Sequence, residues 1–132
     1  MTVFGYGVGA ALVAVLAAGC GSSAEPDVAA AVRDFSAAVA QGDTGAACEG
    51  LAPRVLEQWG AVGEYCEQEL VAALSEVPGP PGEVQAWGEA AMVRAGADTV
   101  FLIRSGDRWL VTGAGCQSAR ADEPYTCEVG GP

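Results

Sequence analysis

Residues 78–112, PGPPGEVQAWGEAAMVRAGADTVFLIRSGDRWLVT, decide the fold. The run Pro78-Gly79-Pro80-Pro81-Gly82 stops any helix arriving from upstream, because proline lacks the backbone donor and glycine loosens the chain. Beyond it, four short segments read as strands, at 84–87, 90–94, 99–104 and 109–112. Their connections, Gly88-Glu89, Gly96-Ala97-Asp98 and Ser105-Gly106-Asp107, are short enough for hairpins. Thr99-Val100-Phe101-Leu102-Ile103 is apolar on both faces, which predicts a central strand. Gly113 and Gly115 predict a bend or bulge just before Cys116. The stretch therefore predicts a four-stranded antiparallel meander.

Upstream the pattern is helical. Pro26-Asp27 opens a helix on which Val28, Val32, Phe35 and Val39 recur at helical spacing, with Gly42 as its stop. Asp43-Thr44 caps a second, short helix carrying Cys48 and Leu51, and Pro53 starts another turn or two. Residues 64–74 predict a further helix, with Cys66, Leu70, Ala73 and Leu74 on one side. Helices first and a meander second give an α+β fold over residues 27–132, one domain with its helices packed on one sheet face.

The chain has 17 acidic residues against six arginines, no lysine and no histidine, for a net charge of −11. Such a surface has no basic stripe to neutralise phosphates, which argues against nucleic acid as a partner. Without histidine, the Ser-His triads and the common metal centres are absent as candidates. No cofactor motif is present, and the acidic groups around 57–76 and 122–128 lack the ligand spacing of a calcium loop. They read as solvating charge.

All of this charge lies after Cys20. Val15-Leu16-Ala17-Ala18-Gly19-Cys20 closes an uncharged N-terminal run, and Gly21-Ser22-Ser23 follows. The arrangement resembles a bacterial lipobox, in which cleavage precedes a cysteine diacylated on sulfur. The resemblance implies a signal peptide at 1–19, a lipidated Cys20 and tether at 20–26, and a location on the outer face of the cytoplasmic membrane; secretion without an anchor is the alternative. The apolar stretch at 8–18 is shorter than the roughly 20 residues of a spanning helix.

Four further cysteines remain: Cys48, Cys66, Cys116 and Cys127. An even number in a small exported domain predicts two disulfides, with three connectivities open. The local pairings Cys48–Cys66 and Cys116–Cys127 close short loops and are favoured. No CxxC pair exists to support a zinc site.

Val100-Phe101-Leu102, Arg104, Gly106, Trp109, Val111, Gly115-Cys116, Pro124-Tyr125 and Cys127-Glu128 resemble the C-terminal half of a group of small actinobacterial envelope lipoproteins. Phe35, Cys48, Leu51-Ala52-Pro53 and Cys66 fit the same pattern, which covers most of residues 28–130. The resemblance implies the nuclear-transport-factor-2-like fold, a curved sheet wrapped by helices into a cone. It implies no reaction.

In such a cone, Phe35, Trp59, Tyr65, Trp87, Phe101 and Trp109 are candidates to line a pocket for a small apolar ligand. The same rings are also the material of a small core. Trp87 and Met92 would form an apolar docking patch for an envelope protein if they face outward, and a one-residue register shift decides that. Asp34 and Glu69 with Tyr65 and Tyr125 are the pieces available to a carboxylate/tyrosine mechanism. The reading is a non-catalytic, lipid-anchored domain binding a protein partner or small apolar ligand. The alternative is a small enzyme of the cone fold.

Overall fold

The computed structural model describes residues 24–60 and 63–132. Residues 1–19, expected as a signal peptide, and Cys20 to Ser23, expected as the lipidated residue and start of the tether, lie outside the described residues. Four helices precede a sheet: α1 (Ala24–Ala40), α2 (Thr44–Glu49), α3 (Pro53–Leu56) and α4 (Cys66–Ala73), with a 3-10 turn at Glu57–Trp59. Helix α1 is described from Ala24 and so already includes Pro26. It ends in a Schellman motif: the Asp43 N–H donates to Ala38 O at 2.9 Å and the Gly42 N–H to Val39 O at 3.1 Å. The Asp43 carboxylate then caps α2 by accepting from the Ala46 N–H at 3.2 Å.

The sheet has five strands where the sequence predicts four: β1 (Pro81–Trp87), β2 (Ala90–Ala95), β3 (Asp98–Ser105), β4 (Arg108–Gln117) and β5 (Thr126–Gly130). They lie in the order β1-β2-β3-β4-β5, each antiparallel to its neighbour. The added strand is β5. Its five residues show little apolar alternation, and only Val129 among them is buried. Pairing with β4 makes it a strand, and the sequence alone marks only its cysteine. Strand β4 runs to ten residues because two register shifts against β3, around Phe101, absorb extra residues near Gly113 and Gly115.

Directly opposed residues of an antiparallel pair share a sheet face. The rows Val84–Val93–Val100 and Ala86–Ala91–Leu102–Val111 lie on one face. Helix α1 packs against β1, β2 and β4, α3 against β4, and α4 against β5. Val28, Val32 and Phe35 of α1 join Leu51, Val55, Leu70, Val93, Val100, Leu102, Val111 and Val129 in one buried cluster. The space between helices and sheet is filled with side chains. Within it the Ser36 hydroxyl is buried without a hydrogen-bond partner, an arrangement that costs about 1–3 kcal/mol.

Two covalent links brace this frame. Cys48–Cys66 joins α2 to the start of α4, and Cys116–Cys127 joins β4 to β5, as the local pairings predict. Thr44 Oγ1 adds a hydrogen bond from α2 to Glu67 Oε1 on α4 at 2.8 Å. Leu51, just past α2, makes a parallel bridge to Val111, with the Ala52 N–H donating to Val111 O and the Val111 N–H to Gly50 O, both at 2.8 Å. This bridge fixes the α2–α3 link beside β4.

After α4, the chain is held to β5 by Glu128, whose carboxylate accepts from the Ser75 hydroxyl and, at 2.7 Å, from the Ser75 N–H. The hydroxyl bond, then the amide bond, hold the Glu128 carboxyl below its ordinary value of 4.5. Glu128 therefore favours the fold above pH 4.5, and this contribution disappears as pH falls through the lower folded value. Ser75→Ala removes the larger cause. It should raise the Glu128 value toward 4.5 in a carboxyl NMR titration; an unmoved titration would show that the contact does not persist in solution.

Candidate functional site

One concavity among the described residues is a surface groove of about 400 Å³ between α1, the end of α2 and the β3–β4 turn. Asp27 and Asp34, two helical turns apart, give α1 an acidic flank here, and Phe35 and Trp109 form the inner wall. Both rings are nearly buried, at 3% and 8% exposure, so only their margins meet the groove. Glu49 comes from the last turn of α2, and Asp107 and Arg108 from the hairpin turn. Arg108 Nη2 donates to the Glu49 carbonyl at 3.3 Å, tying that turn to the helix end. The local charge is four exposed carboxylates against one guanidinium.

Such a wall attracts cationic groups and offers a narrow aromatic margin beside them. The carboxylates are spread along an open groove and remain solvated. Among the described residues, no three Asp, Glu, His or Cys side chains come together as metal ligands would.

Of the six aromatic candidates, the groove unites Phe35 and Trp109, with Asp34 beside them. The other four sit elsewhere. Trp59 is half-buried against the core from the 3-10 turn, and its carbonyl accepts the Tyr65 N–H at 3.0 Å. Tyr65 stands at the N-terminus of α4 and is 53% exposed. Phe101 pairs across strands with Met92, and Trp87 with Ala90, in the rows that alternate with the core rows. These two rings therefore occupy the sheet face away from the helices. There Phe101 packs edge-to-face against Tyr125 with centroids 5.1 Å apart, while Trp87 is 54% exposed. Tyr65 and Glu69 lie one turn apart at the start of α4, where the Glu69 N–H donates to Tyr65 O at 3.0 Å. Asp34 is on α1 and Tyr125 in the C-terminal loop over the outer face, so the four do not form one group.

A second, more apolar cleft of about 280 Å³ lies between the end of α1 and α4, lined by Val39, Leu70, Val71, Leu74 and Val77. Val71 and Val77 are largely exposed. The sequence reading named Phe35 and Trp109 as pocket candidates and Asp34 as a candidate acid, but not their grouping with Asp27, nor the second cleft. The i, i+7 spacing of Asp27 and Asp34 was a further signal for the first. Glu49, Asp107 and Arg108 reach it only through the tertiary fold. Among the described residues, no helix is long and apolar enough to cross a membrane. Comparison of the chain with protein-family models, with curated proteins and with solved structures finds no match.

Proposed function

We propose that this chain is a non-catalytic, lipid-anchored envelope domain that binds another envelope protein. The observation that carries the choice of a protein over a small apolar ligand is the filled interior. Val28, Val32, Leu51, Val93 and Leu102 are at most 1% exposed, so side chains occupy the space where a ligand would sit in the cone that the family resemblance implies. Recognition then falls to open surfaces, where protein partners bind. The scattered positions of Asp34, Glu69, Tyr65 and Tyr125 support a binding role over carboxylate/tyrosine catalysis, which needs its acid, base and oxyanion donors within reach of one substrate. Two disulfides and charge confined to the chain after Cys20 support the exported, anchored location.

Two measurements test the two halves of this reading. Cys20→Ser should move the protein from the membrane fraction to the soluble extracellular fraction, and unchanged membrane retention would refute the lipid anchor. For the partner, a photo-crosslinking residue at Asp34 should give a discrete adduct in cells, absent when the same group replaces Arg120 on the remote C-terminal loop. Identical adduct patterns from both positions, or none from Asp34, would refute partner binding at the groove.

A further inference from the structure

The lipid-anchored reading above has a geometric consequence for Trp87. Cys20 lies four residues before Ala24, the first described residue of α1. At about 3.3–3.6 Å per residue, these steps reach at most roughly 14 Å. An acylated Cys20 therefore holds one particular end of the domain against the bilayer, namely the end that contains the N-terminus of α1.

Contacts and strand register identify what else is at that end. Ala24 and Asp27 share a small cleft with Arg104, Asp107 and Trp109, which puts the β3–β4 turn beside the start of α1. The Arg104 N–H donates to the Glu89 carbonyl at 2.7 Å, which puts the β1–β2 turn beside the β3–β4 turn. Trp87, Ala90, Ile103 and Leu110 form one cross-strand row immediately inside these two turns. Trp87 is two strand spacings from β3, or about 10 Å. The opposite end, with the Gly96 turn and the loop after β4, is about 26 Å away along the eight residues of β3.

We propose that Trp87 docks into the headgroup layer of the bilayer and, with the Cys20 anchor, gives the domain a fixed orientation on the membrane. Trp87 is 54% exposed at the end of edge strand β1, whereas Leu110 at the far end of its row is buried. Tryptophan favours this interface because a large apolar ring and one N–H donor match a layer that is apolar on one side and wet on the other. That layer is only about 5–8 Å deep on each side of the hydrocarbon, within reach of a ring held beside so short a tether.

The charges at this end set the type of surface. Glu25, Asp27, Glu89 and Asp107 outnumber Arg104 and Arg108, so Coulomb attraction to anionic lipid does not drive the contact. Arg104 Nε donates to the Gly106 carbonyl at 3.0 Å, and its guanidinium has no carboxylate partner among the described residues. It remains available to a lipid phosphate. Ring burial together with the covalent anchor makes a two-part attachment, in which neither part alone holds the orientation.

The test uses the chain from Cys20 onward, which contains every described element of the fold. The other four cysteines are paired in disulfides, leaving Cys20 as the thiol that reacts with a maleimide lipid in phosphatidylcholine vesicles. Including lipids brominated near the headgroup should quench up to about one third of the emission, since Trp87 is the most exposed of three tryptophans, Trp109 being buried and Trp59 half-buried. Trp87→Ser should abolish this quenching with an unchanged circular dichroism spectrum, and Trp87→Tyr should retain the fixed orientation in a fluorescence-anisotropy measurement of a label at Arg120. Equal quenching in the wild type and Trp87→Ser, or none in the wild type because a second copy covers the ring, would overturn the proposal. Chemical coupling imposes the anchor, so this outcome is separate from a failure of Cys20→Ser to release the protein in cells.

Discussion

Reduction of the two disulfides should bring the domain close to unfolding at 37 °C. Cys48–Cys66 and Cys116–Cys127 close segments with sequence separations of 18 and 11. Loop-closure entropy assigns each about 3 kcal/mol. Their sum is comparable to the whole stability of a small domain, which starts at about 5 kcal/mol. Replacing one pair by alanines should lower the thermal midpoint by roughly 12–24 °C, at 4–8 °C per kcal/mol for a domain of this size. The two pairs should differ in what loosens first. Loss of Cys116–Cys127 leaves β5 with β4 as its one sheet neighbour among the described residues and with the Ser75–Glu128 contact, so its amides should lose hydrogen-exchange protection ahead of the core. Loss of Cys48–Cys66 removes a sulfur that is 1% exposed in the core and should destabilise all elements together. A midpoint unaffected by reduction would mean that packing alone sustains the fold.

Gly130→Ala should be among the most damaging single methyl additions. Gly130 has φ +63°, and a Cβ there would overlap the Thr112 carbonyl oxygen and approach Val55 Cγ2 to 3.1 Å. The obstacle is backbone, and that carbonyl already accepts the Gly131 N–H at 3.0 Å. The left-handed conformation costs about 1–2 kcal/mol for a residue with a Cβ, and forced displacement of packed groups adds about 1–3. A total near 3 kcal/mol should appear in urea denaturation. Gly106→Ala is the control. Its φ is also +63°, but nothing lies within 4 Å of the new methyl, so only the backbone cost of about 1–2 kcal/mol applies. Equal losses in the two variants would show that β5 yields freely to the added carbon.

The contrast between these glycines also marks what was legible in the sequence. Gly106 sits in a two-residue turn between obvious strands, and local pattern predicts it. Gly130 is required by a strand that the sequence did not announce, because β5 takes its form from β4 and not from its own alternation. The same division holds elsewhere. Gly42 and Asp43 were readable because helix ends are closed by neighbours in sequence. The local disulfide pairs were readable for a similar reason. The sides taken by Trp87 and Phe101 were not, since period-two alternation gives two faces without saying which one the helices cover. The groove was half legible: Asp27 and Asp34 share a helix flank, while Asp107 and Arg108 join them only when the β3–β4 hairpin folds back onto α1.

Neither disulfide crosses from the helices to the sheet. Each links cysteines adjacent in chain order, the first pair before the Pro-Gly run and the second after it. For a polypeptide threaded outward from its N-terminus, this order has a kinetic value. Once Cys20 is blocked, oxidising each remaining thiol with the next one to emerge yields the native connectivity directly, and no bridge among these four has to be undone.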